Sequence, residues 1–193
     1  MPEPAFRELT DPRAMRALAH PTRLALLEVL RDAGRLTATE AGERIGESPA
    51  SCSFHLRQLA KYGFVEEAPR AGGRRRPWRA TDVGMTFTDV HDDPERTEAA
   101  IVLERVLRDR NLRRAQAALD ARHAQPRAWR RVLGMSDYTL YVTPEELEAI
   151  ERELVAVVGR YRDRAADPAR RPEGSRAVQL LYIAYPYRPG QAA

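Results

Sequence analysis

The chain has 193 residues, 43% of them hydrophobic, with a formal net charge of +4 and a pI near 9.6. That length suits one large domain or two small ones. No apolar run approaches the roughly 20 residues a membrane helix needs, and the opening MPEPAFRELTDPRAM lacks the basic segment and apolar core of a secretory signal. A cytoplasmic protein with no membrane partner is the expectation. Cys52 is the sole cysteine, which excludes an internal disulfide and a cysteine-pair metal site. There is no Gly-rich phosphate loop and no nucleophile motif. The chain therefore reads as a non-enzyme, and no cofactor or metal is expected.

In chain order, Asp11-Pro12 reads as a helix cap followed by a first-turn proline, opening a short helix through about Ala19. His20-Pro21 ends that helix and starts the next. There Leu24, Leu27 and Leu30 recur at helical spacing, with Leu26 and Val29 widening the stripe. Gly34 stops it. Thr37 and Glu40 have capping-box spacing, so a third helix runs to about Ile45, and Gly46 stops it in turn. Ser48-Pro49 caps a fourth helix that Gly63 closes. FVEEA and WRAT then read as two short strands around PRAGGRRRP, where Gly72-Gly73 lets the chain reverse. HDDP, residues 91 to 94, is the expected boundary between a domain of residues 1–91 and a second of residues 92–193. The second domain opens with a long helix over 94–122, in which Ala99, Val102, Val106 and Leu107 would form the buried stripe. A strand is expected over Tyr138–Val142. A helix follows from Thr143-Pro144, with Leu147, Ile150, Leu154, Val157, Val158 and Tyr161 on one face. AVQLLYIAY, residues 177–185, is apolar on both alternating faces, as in a strand covered on both sides. The fold class is mainly α with small β.

The fourth helix has two unlike faces. At about 100° per residue, Cys52, Leu56 and Leu59 share a narrow arc. Phe54, Gln58 and Lys61 lie nearly opposite, with Ala50, Ser51 and Arg57 beside them. Small residues at its start, Ser48, Ala50, Ser51 and Ser53, would let the helix enter a groove. Arg57, Gln58 and Lys61 suit phosphates and base edges. Phe54 would meet a thymine methyl or a sugar. Arg70, Arg74, Arg75, Arg76 and Arg79 crowd into ten residues with no acid among them. An ordinary solvated face and a solvated loop would account for either feature alone. Together, a helix, a tight turn, a second helix and a basic hairpin make a winged helix-turn-helix, whose second helix enters the major groove while the wing follows the backbone or minor groove. The DNA-binding candidates are Ser48, Ala50, Ser51, Ser53, Phe54, Arg57, Gln58 and Lys61 on the helix, and Arg74, Arg75 and Arg76 on the wing.

LAHPTRLALLEVL, followed by LTATEAGERIGESPASCSFHLRQLAKYGFVEEA and RRRPWRATDVG, resembles the ArsR-type winged-helix repressors over residues 10 to 90. It is most similar to the actinobacterial branch with an added C-terminal domain. The most specific pieces are His20-Pro21-x-Arg23, Ser53-x-His55-Leu56 and Gly63-Phe64-Val65. The resemblance implies a homodimeric regulator that binds double-stranded DNA at an inverted repeat and responds to an effector. Metal-sensing members carry a cysteine pair in the helix before the turn, where this chain has TATEAGERIG. Others place a histidine and acid pattern on the dimer helix. Asp89-x-His91 matches its start, but the next ligand position, eleven residues after His91, is Val102. The chain is therefore not read as a cysteine-based metal sensor.

The remaining candidates have bland readings. Cys52 is expected to be an inert core residue. His55 is expected to pack with one hydrogen bond near the backbone, and His20 to cap or pack at the helix junction. The long helix is the expected dimerisation element. Tyr138, Tyr141, Tyr182, Tyr185 and Tyr187, with Trp129, suit either core packing, which is favoured, or a pocket for a small-molecule effector. The terminal strands could also join across a dimer. Two other functions stay open: a protein-interaction adaptor on a winged-helix fold, and a non-specific nucleoid-binding protein, whose affinity would be sequence-blind and steeply salt-dependent.

Overall fold

The computed structural model describes residues 6–69, 76–82, 84–88, 91–188 and 190. Residues 70–75, which include Arg70, Arg74 and Arg75, lie outside these, as do Asp89 and residue 90. The chain forms two compact units, Met1–Leu112 and Arg113–Ala193.

The first unit runs β1 (Phe6–Glu8), α1 (Pro12–Leu18), α2 (Pro21–Ala33), α3 (Ala38–Ile45), α4 (Pro49–Lys61), β2 (Val65–Glu67), β3 (Trp78–Ala80), β4 (Gly84–Thr86), and then the start of α5 (Pro94–Asp120). Its helix ends follow from local chemistry. The Asp11 carboxylate accepts from the Arg13 amide at 2.9 Å. Thr37 and Glu40 form a reciprocal capping box, and the Ser48 hydroxyl accepts from the Ser51 amide at 3.1 Å. Each cap satisfies amide donors that the first helical turn leaves unpaired. At the other end of α4 the Phe64 amide donates to the Leu59 carbonyl and the Gly63 amide to the Ala60 carbonyl. This is a Schellman turn, and it needs the positive φ of 70° that Gly63 supplies.

One core holds this unit together. Met15 and Leu18 of α1 meet Leu26, Leu27 and Leu30 of α2, Ala41 of α3, and Cys52, Leu56 and Leu59 of α4. Phe64 and Val65 close it beneath the hairpin, and Ala99, Ala100 and Leu103 of α5 close it from the far side. The buried stripe of α5 is thus rotated from the expected one. Ala99 is buried and Val106 and Leu107 pack partly, but Val102 is exposed, because it lies about 100° round the helix from Leu103. Charge pairs add to the packing. Arg110 of α5 forms a two-pronged pair with Glu28 of α2, and Arg16 of α1 pairs with Glu95 at 2.6 Å.

Two small sheets complete the unit. β2 and β3 pair antiparallel, Val65 opposite Ala80 and Glu67 opposite Trp78. Leu36 bridges onto Trp78 from the other edge. β1 and β4 pair parallel, Phe6 opposite Gly84. The sequence reading misses this second sheet, because three-residue strands are too short to show an alternating pattern.

The second unit contains the end of α5, a 3-10 turn at Ala121–Ala124, α6 (Arg127–Arg130), α7 (Pro144–Gly159), α8 (Asp163–Ala166) and a 3-10 turn at Pro168–Arg170. α7 starts as expected, with a full Thr143–Glu146 capping box. The expected flanking strands differ. Neither 138–142 nor 177–185 joins a sheet. A strand exists only with a ladder partner, and the described residues of one copy provide none for either segment. Among the described residues of this unit none is buried.

Candidate nucleic-acid interface

The recognition face is built by the junction between α3 and α4. α3 ends on Gly46, whose left-handed backbone (φ 74°, ψ 32°) turns the chain within two residues. The amides of Gly46 and Glu47 both donate to the Gly42 carbonyl, at 2.9 and 3.0 Å. Ser48 then caps α4 and Pro49 occupies its first turn. Gly42 is where α3 and this turn touch: a Cβ there would stand 2.5 Å from the Glu47 carbonyl oxygen and 3.5 Å from the Cys52 sulfur. The absence of a side chain at 42 therefore sets how closely α4 approaches α3.

Cys52, Leu56 and Leu59 point into the core, all fully buried. That places Ser48, Ala50, Phe54, Arg57 and Lys61 outward and exposed, with Ser51, Ser53 and Gln58 partly exposed between them. Phe54 is 51% exposed, a large apolar side chain on an otherwise polar face. Arg57 and Gln58 make no hydrogen bond or ion pair with another described residue. The Lys61 ammonium lies 5.7 Å from the Tyr62 ring centre. α4 itself carries no acid, so its long polar groups suit an anionic partner.

Two of the wing arginines have acidic neighbours that the sequence run does not show. Arg79 of β3 donates to Glu66 of β2 through two nitrogens, at 2.7 and 2.6 Å. Arg76 lies 3.6 Å from Glu67. The arginine run contains no acid in sequence, but antiparallel pairing brings two glutamates across to it. Of the wing candidates, Arg76 is thus partly neutralised, while Arg74 and Arg75 lie outside the described residues. The base of the wing is fixed by Arg31 of α2, which donates to the Asp82 carboxylate at 2.5 Å and to its carbonyl at 3.2 Å.

Beneath the recognition face sit two histidines. The rings of His20 and His55 are 4.5 Å apart at a tilt of 35°, and Phe54 meets His55 edge-on at 5.2 Å. His20 caps α2, its Nδ1 accepting from the Thr22 amide at 3.2 Å. His55 packs as expected but lacks the expected hydrogen bond: its Nδ1 is buried with no partner. Burial lowers both pKa values below the usual 6.5, and the nearby Arg23 guanidinium adds to the effect. Burial likewise raises the Cys52 thiol, with Glu47 contributing, and the side chain lies in the core as expected. Among the described residues no cluster of three or more histidine, cysteine or acidic side chains could hold a metal, and no helix is long and apolar enough to cross a membrane.

This geometry is a winged helix-turn-helix, the fold of DNA-binding regulators. A family model described as "Helix-turn-helix domain" matches residues 18–68, from the end of α1 to just past β2. Similar solved structures include reduced HlyU from Vibrio cholerae, 22% identical, covering 50% of this chain and 83% of that one with a TM-score of 0.32. Another is the homodimeric winged helix-turn-helix domain Mb0332 from Mycobacterium bovis, described as a possible ArsR-family regulator. It is 22% identical, covering 51% and 76% with a TM-score of 0.33. A ZitR variant from Lactococcus lactis is 16% identical, covering 74% and 83%, also at 0.33. No curated protein matches the sequence.

The C-terminal tyrosines are not core residues within one copy. Tyr138, Tyr141, Tyr182, Tyr185 and Tyr187 are all exposed. Trp129 carries the Arg176 guanidinium 5.5 Å from its ring centre.

Proposed function

We infer that the protein is a sequence-specific transcriptional regulator of the ArsR type, acting as a homodimeric repressor on an inverted-repeat operator and not sensing metal through cysteine. The observation that carries this reading is the outward face of α4. It presents exposed Phe54 beside Arg57 and Gln58, neither of which bonds to another described residue, on a capped helix whose buried face is locked into the core. Gln58 and Arg57 are suited to bidentate contacts with adenine and guanine edges. Ser48, Ala50, Ser51 and Ser53 would lie at the phosphates where the helix enters the groove, Lys61 would reach a phosphate at its other end, and Arg74, Arg75 and Arg76 would follow the backbone. The dimer supplies two such helices about 34 Å apart, one turn of the duplex.

The test is fluorescence anisotropy with DNA from upstream of the chain's own gene, against scrambled DNA, over several salt concentrations. The expected result is binding that survives competitor at two protomers per site. Equal and steeply salt-dependent binding to both DNAs would replace this reading with a nucleoid-type role. The Glu66 and Glu67 pairing of the wing arginines argues against that role, since it reduces the sequence-blind charge. Absence of binding to either DNA would favour the adaptor.

A further inference from the structure

We propose that residues 113–193 form the interface between two copies of this chain, with the segments 138–142 and 177–185 pairing between copies. The proposal deepens the dimeric part of the reading above and does not depend on DNA.

The starting point is an imbalance. Every buried hydrophobic residue described in the chain lies at or before Leu103. The second unit nevertheless carries many apolar side chains, most of them exposed and none buried among the described residues. On α7 and just past its end these include Leu154, Val157, Val158 and Tyr161, between 41% and 54% exposed. In the two flanking segments Tyr138, Tyr141, Leu180 and Tyr185 are between 70% and 92% exposed. At about 200 Å² for a whole tyrosine side chain, the five C-terminal tyrosines alone expose roughly 700 Å². The aliphatic side chains raise the total to on the order of 2,000 Å², against about 800 Å² that each partner gives to a standard specific interface. Exposed apolar surface of this amount is more than a monomer ordinarily leaves uncovered where it gathers into a patch.

Three features select a second copy as the occupant. YTLYV and AVQLLYIAY contain no charged residue, so the same surface can meet itself across a two-fold axis without opposing like charges. Both segments are rich in β-branched and aromatic residues, yet neither is in a sheet. A ladder is the structure they lack, and an identical neighbour can provide it. Finally, uncharged segments of this composition, free of proline, aggregate when left open. They need a cover that is always present in equal amount, and another copy of the chain meets that condition where an occasional partner does not.

The test uses the full chain without DNA. Sedimentation should give twice the 21.8 kDa chain mass; a stable monomer overturns the proposal. A benzophenone amino acid is then placed at Tyr141, the most exposed of these side chains at 92%, and irradiated in a mixture of tagged and untagged chains. The expected product is a covalent dimer carrying one tag. Cross-links only within a chain, or dimers formed from position 102 on α5 but not from 141, overturn it. Hydrogen exchange on the unmodified chain gives an independent readout. Amides in 138–142 and 177–185 should be protected in the dimer, and fast exchange through both segments overturns the proposal. Failure of the DNA reading would leave all three results unchanged.

Discussion

Gly42→Ala puts the geometry of the helix-turn-helix to a test whose sign is decided by competing effects. In the middle of an ordinary helix the change would stabilise by about 0.5–1 kcal/mol, because alanine loses less backbone freedom on folding. Here the new Cβ would stand 2.5 Å from the Glu47 carbonyl oxygen, where 3.4 Å is ordinary contact. The obstacle is backbone, not the end of a flexible side chain. It is also the carbonyl just before the Ser48 cap, so relief moves the start of α4 by roughly 0.9 Å relative to α3. Overpacking of this kind costs about 1–3 kcal/mol. The net expectation is a loss of roughly 1–2 kcal/mol in urea unfolding, after the propensity gain is subtracted. A shift near 1 Å also exceeds what hydrogen bonds to base edges tolerate. Operator affinity should therefore fall about ten-fold or more even where the variant is fully folded, one good bidentate contact being worth about 1–3 kcal/mol. Chevron or equilibrium urea titration gives the first number and anisotropy the second. A variant more stable than the parent, with unchanged operator affinity, would refute the close approach at residue 42.

Other perturbations probe the wing, the core cysteine and the histidine pair. Replacing Glu66 and Glu67 with glutamine frees Arg79 and Arg76, so DNA binding should tighten and its log–log salt slope steepen by about 0.9 for each arginine that reaches a phosphate; an unchanged slope means the wing does not contact DNA. Cys52→Ser buries a hydroxyl at a fully enclosed site and should cost about 1–3 kcal/mol, with the native thiol unreactive to aromatic disulfides until the chain unfolds. Rapid labelling of the folded protein, or peroxide-dependent DNA release lost in this variant, would make Cys52 a sensor instead. His20 and His55 have folded pKa values below 6.5, so the unfolded chain binds their protons first as pH falls. Their contribution to stability is complete above about pH 6.5 and is lost as pH drops through the interval down to the folded values. A His20→Gln, His55→Gln variant should show a shallower decline in stability between pH 7 and 5, and an equal decline would refute the assignment.

What the sequence made legible was whatever local chemistry decides. The caps at Asp11, Thr37, Ser48 and Thr143, and the glycine stops at 34, 46 and 63, are each settled by a few neighbouring residues, and each is where the pattern put it. The two faces of α4 were equally legible, because burial of Cys52, Leu56 and Leu59 follows from a 3.6-residue period. Non-local pairings were not. The acids that temper the wing are on a different strand, and only the β2–β3 register brings Glu66 opposite Arg79. The β1–β4 sheet joins three residues at each end of a long stretch of chain, with no periodic signal in either. Gly42 gave no warning either, since a glycine inside a short helix looks like a local weakness until the turn that folds back against it is seen.

The same distinction explains the C-terminal unit. Residues 177–185 are apolar on both alternating faces, so a strand covered on both sides was the natural reading, and the structure shows no strand there. A strand is a property of a pair, however, and the sequence of one chain does not say whose chain provides the other half. Leu180 and Tyr182, exposed at 76% and 51%, carry the composition of a core without its neighbours. If the neighbours belong to a second copy, the two helices that would read DNA are held by an interface remote in sequence from α4. The stability of that interface then sets the protein concentration at which two half-sites can be occupied together. Substituting Leu180→Asp should accordingly lower operator affinity chiefly through loss of the dimer. That loss should be recovered at high protein concentration, whereas the loss from Gln58→Ala should persist at every concentration. A Leu180→Asp variant that bound the operator normally at nanomolar protein would break the link between the C-terminal unit and DNA recognition.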